Sequence, residues 1–181
     1  MNTHTFAAGA QQLVLDHLQA AFNTTAESVN VLQLPPRDLP EGAAEFYVEP
    51  KGSREHGSRN CVVMGGKVYC SGADGEFARL LREQALLDRG GVDASALMRL
   101  YALLALPRQV KYVNANVLAL DSQTWRAYPE VVAPSISTRP DGGVTLTFYA
   151  TPVAEVQPSK WTVTVKRNYD VEVASVPLAP R

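Results

Sequence analysis

Cys61-Val-Val-Met-Gly-Gly-Lys-Val-Tyr-Cys70 consists of two short β-prone runs on either side of Gly65-Gly66. A Gly-Gly pair tolerates the positive φ at both central positions that a two-residue hairpin turn demands. Turn length then sets register. Met64 faces Lys67 as a hydrogen-bonded pair, Val63 faces Val68 as a non-hydrogen-bonded pair, and two residues further out Cys61 faces Cys70 at the same closer type of site. Antiparallel β structure therefore stands in the middle of a chain whose first half otherwise reads largely as helix.

On the N-terminal side, Phe6, Ala10, Leu13, Val14, His17, Leu18 and Ala21 recur at three- and four-residue spacing, which predicts an amphipathic helix over 5–22. Val29 to Leu34 reads as a strand stopped by Pro35-Pro36, and Glu45 to Glu49 as a second. The polar stretch from Pro50 to Asn60 reads as an exposed loop.

On the C-terminal side, Asp74-Gly-Glu-Phe opens a helix carrying Phe77, Leu80, Leu81 and Gln84 on one face. Arg89-Gly-Gly ends it, and Asp93 caps a following helix through Leu97, Leu100, Tyr101 and Leu104 to Pro107. From Val110 the period becomes two. Val113 to Ala119, Ser135 to Thr138, Val144 to Ala150 and Trp161 to Lys166 all alternate, and Val171 with Val173 either forms a further strand after a turn at Arg167-Asn168 or extends the one before. The expected fold is α+β: N-terminal helix, β-hairpin and αα-hairpin, then an antiparallel meander of four or five strands packed against the helices. At 181 residues the default is a single domain over 1–181, with a soft boundary near 108–112.

Composition removes several function classes. Lys plus Arg (17) nearly balances Asp plus Glu (18), a formal charge of −1, so the basic excess that neutralises phosphates is missing and nucleic acid is a poor partner. The most apolar stretch, Leu97 to Leu106, is interrupted by Arg99 and falls far short of the roughly 18 residues a spanning helix needs, which argues against membrane insertion. The N-terminus lacks a basic region followed by an apolar core, so a cytoplasmic chain is expected, with a mature exported domain as the alternative. Abundant Ala and a preference for Arg over Lys suggest a GC-rich bacterial source.

Few residues suggest chemistry. For Cys61 and Cys70 the readings, in order, are two buried thiols, a structural bridge and a reducible redox bridge; eight intervening residues do not make a zinc pattern, and no metal site or cofactor is expected. A nucleophilic cysteine would need a histidine and an orienting group, and neither His17 nor His56 stands at a recognisable spacing. Lys51, Arg54 and Arg59 lie in or beside a glycine-containing loop, shared with His56, that could hold an anion by their charge and its backbone N–H groups, but it lacks the phosphate-loop pattern and does not lead directly into a helix. Trp125, Tyr128, Trp161 and Tyr169 could line a groove against the sheet, though core packing is the commoner use of such rings.

No catalytic set emerges. The leading expectation is a non-enzymatic binding or protein-interaction domain, whose sheet face or edge meets a protein partner or a second copy, with room for a small ligand. Trp161, Tyr169, Arg54, His56 and Arg59 are its candidate contacts. The competing expectations are an enzyme using a cysteine or carboxylate site, and a redox-responsive protein using the Cys61–Cys70 pair.

Overall fold

The computed structural model describes residues 3–35, 38–52, 57–88, 93–107, 110–113, 124–152 and 157–180. Contacts gather the chain into two units, Met1–Gln84 with Leu103–Ala105, and Ala85–Ala102 with Leu106–Arg181. Each has its own antiparallel sheet, and with the helices these make the α+β fold expected, with two sheets where one meander and a hairpin were expected.

In the first unit, helix α1 (Thr3–Phe22) is followed by β1 (Val29–Gln33), β2 (Ala44–Pro50), β3 (Arg59–Met64) and β4 (Lys67–Cys70), paired in sequence order, and by α2 (Glu76–Glu83). The β3–β4 register is the one the Gly-Gly turn dictates: Met64 opposite Lys67, Val63 opposite Val68, Cys61 opposite Cys70. Gly65 and Gly66 both take positive φ, 57° and 72°. Ala10, Val14 and Leu18 on α1 lie against alternate residues Phe46, Val48, Cys61, Val63, Val68 and Cys70, which form a buried cluster. Helical and strand periods thus present one apolar face each to the other.

The second unit holds α3 (Ala94–Leu104), up to Ala102, with β5 (Val110–Tyr112), β6 (Ser135–Thr138), β7 (Val144–Pro152), β8 (Ser159–Val165) and β9 (Val171–Pro177). The expected cap on α3 is present, Asp93 Oδ1 accepting the Ala96 N–H at 2.7 Å. Strand order is β5-β7-β8-β9, and β6 pairs with the same strand β7 along Val144–Thr147. Leu146, Phe148, Val163 and Val165 bury one face of the sheet, where the Tyr101 ring lies 5.7 Å from Phe148. Val113, Tyr128, Val131 and Tyr149 form a second cluster. The expected αα-hairpin gives one helix to each unit, and its loop at 89–92 lies outside the described residues, as does the alternating run at 114–120.

Candidate docking edge

Two terminal strands show how differently this chain treats a sheet edge. On β4 the two-residue hairpin points the backbone groups of Val68 and Cys70 away from β3. Both are taken up. The Cys70 N–H donates to Glu76 Oε2 at 3.0 Å, and the Val68 carbonyl accepts from Arg79 Nη2 at 2.7 Å. Arg79 and Glu76 also bind each other through Nε–Oε1 at 2.7 Å and Nη2–Oε2 at 2.8 Å. A bidentate ion pair from α2 thus stands where a fifth strand would. In the sequence Glu76 and Arg79 are an ordinary i,i+3 helix pair, so nothing marks this role.

β9 is treated otherwise. Lys166 N–H donates to Asp170 O and Leu178 N–H to Pro158 O, both at 2.9 Å, and the register pairs Val165 with Val171 through Ser159 with Pro177. Alternation along the pair then directs the backbone groups of Glu172, Ala174 and Val176 toward β8, and those of Val171, Val173 and Ser175 away from it. Among the described residues no strand pairs with that outer side. Residues 172–177 are all exposed, including Val173 at 49% and Val176 at 63%. The one N–H missing from the outward set is that of Pro177, at the end of the strand.

Side chains of Val171, Val173 and Ser175 share the face that carries buried Val163 and Val165. Trp161 lies in the same rank: half-buried, opposite Ser175 on one side and stacked on Phe148 on the other, centroids 5.9 Å apart. The small Ser175 side chain leaves the indole beside the open edge. On the opposite face two rows of hydroxyls cross the strands, Ser137–Thr145–Thr164 ending on Glu172, and Ser135–Thr147–Thr162 ending on Ala174.

Tyr169 sits in the turn that leads into β9, at φ 67°, a conformation costly for an aromatic residue. Its hydroxyl donates to Asp88 Oδ2 at 3.0 Å, and Arg167 Nη2 meets Asp88 Oδ1 at 2.6 Å, so both turn residues are held by one carboxylate. Burial, with the Asp88 charge adding, pushes the Tyr169 hydroxyl above its ordinary pKa. Tyr169 therefore anchors the hairpin from which β9 starts.

The other candidates lie in the first unit or outside the described residues. Arg54 and His56 are among the latter, and so is the Trp125 side chain. Lys51 and Arg59 border a cleft of about 740 Å³ whose walls include Leu18, Phe22, Val29 and Val48. Arg59 lies 3.8 Å over the Phe22 ring and donates to the Ser71 carbonyl at 3.0 Å, a packing role at the last residue of α1. Cys61 and Cys70 are joined by a disulfide, Cα atoms 4.1 Å apart, with neither residue exposed. This geometry is that of the bridged reading, the second of the three the sequence left open. Among the described residues no group of three His, Cys, Asp or Glu could hold a metal ion, and no helix is long and apolar enough to cross a membrane. No family model, curated protein or solved structure matches the chain.

Proposed function

We propose that this chain is a non-enzymatic binding protein that takes an extended segment of a protein partner along β9, adding a strand to the sheet of the second unit. The observation that carries the reading is the outer side of β9, with which no strand pairs among the described residues and which is exposed from 172 to 177, in a molecule that closes the corresponding side of β4 with Glu76 and Arg79. Exposed regular edges invite pairing, and chains without use for one blunt it with charge, proline or a covering element. The outward backbone groups supply affinity, while Val173 and the Trp161 indole beside Ser175 supply an apolar rank for alternate side chains. The Cys61–Cys70 bond supports work in an oxidising compartment, the exported alternative to a cytoplasmic chain.

A photo-reactive phenylalanine analogue placed at Val173, and separately at exposed Leu13 on α1, tests the reading. Protein adducts should form from position 173 and disappear when Ser175→Pro removes an outward N–H. Equal labelling from both positions, or adducts indifferent to Ser175→Pro, would contradict it.

A further inference from the structure

We propose that the segment received by β9 is the β9 of a second copy, paired antiparallel across a two-fold axis through Val173. This rests on the reading of β9 as the docking element and names its occupant. A two-fold axis requires the edge to complement itself, and the backbone groups of Val171, Val173 and Ser175 do so in one register. With Val173 opposite its mate, Val171 of each copy faces Ser175 of the other. All three facing pairs are then of the kind that exchanges both N–H and C=O bonds, since these residues direct their backbone groups away from β8.

Moving the axis one residue along, to Ala174, sets Val171 against Pro177, which has no N–H to give. The register centred on Val173 avoids that loss. It also sets two 49%-exposed valines side by side on the face that carries buried Val163, where each covers the other. Charge does not oppose it. Glu172 falls opposite Ala174 of the mate rather than opposite another acid, and is already paired with Lys166 in its own copy. Edge pairing over one strand buries less than a standard interface, so association should be concentration-dependent, with a dissociation constant on the order of 1–100 µM.

Sedimentation velocity on the full chain, across that concentration range, is the test. Wild type should pass from monomer to dimer, and Ser175→Pro should stay monomeric with an unchanged circular dichroism spectrum. Register is read by charge at the axis. Val173→Lys and Val173→Glu should each be monomeric, because like charges would face each other, and an equimolar mixture should dimerise. If Ser175→Pro misfolds, this pair alone decides the matter. A dimer that survives Ser175→Pro, or a mixture that stays monomeric while wild type dimerises, overturns the proposal. Wild type monomeric throughout also overturns it, and leaves the strand-docking reading to stand or fall on adducts from Val173 with other proteins.

Discussion

Cys61 and Cys70 face each other across β3 and β4 with no exposed surface, so their bond acts on a core rather than on solvent. A bridge closing a loop of this size stabilises by about 2–3 kcal/mol, chiefly by restricting the unfolded chain. Replacing both cysteines by serine should lower stability by at least that much in a denaturant titration, and reductant should act on folded protein only slowly, because the sulfurs are covered. Rapid reduction without unfolding would favour the redox reading. Tyr169 makes a smaller claim. Tyr169→Phe removes the bond to Asp88 and should cost about 0.5 kcal/mol, the low end for a hydrogen bond because this one is exposed; an unchanged midpoint would mean that the hydroxyl does not hold the turn.

His17 carries a pH dependence of definite sign. Burial pulls its pKa below 6.5, with Glu76 opposing and Arg79 adding to the fall. The unfolded chain therefore binds this proton more readily than the folded one. Stability from His17 is complete above about pH 6.5 and is lost as pH falls through the lowered value. Denaturation midpoints measured from pH 7.5 down to 5 should decline, and His17→Gln should decline less.

At the scale of elements, the closure of β4 by α2 is the contact most open to test. Arg79→Met leaves the Val68 carbonyl without that donor and the buried Glu76 carboxylate without its cation, and should cost about 1–3 kcal/mol, discounted for the partial exposure of Arg79. A loss within error would mean that water replaces the guanidinium readily. Legibility in the sequence followed locality. The β3–β4 register could be read because two glycines fix turn length and turn length fixes pairing. The Asp93 cap and the Ser135 to Thr138 and Val144 to Ala150 strands were legible for the same reason, each being set within a few residues. Whether Val171 begins a new strand was not, because Tyr169 occupies the positive-φ position where Gly or Asn would have announced a turn. That β5 also pairs with β7, Val110 opposite Pro152, is a long-range choice with no local signal, and the stack of Trp161 on Phe148 has none either. Of the candidate site, alternation could place Trp161, Val173 and the threonines on opposite faces. It could not say that β9 keeps its outer side exposed, since that depends on what packs there from elsewhere in the chain.

At the scale of the whole molecule, the behaviour of this protein should change with concentration through β9. Near-neutral charge at pH 7 gives little long-range repulsion between copies or partners, so association should vary weakly with salt. The most direct test of the open edge is amide hydrogen exchange along β9, resolved by residue, in dilute solution where the chain is alone. Val171, Val173 and Ser175 should exchange fast and Glu172, Ala174 and Val176 slowly, an alternation that follows from which amides face β8. Uniformly slow exchange at all six would mean that the chain covers its own edge, and would contradict the docking reading.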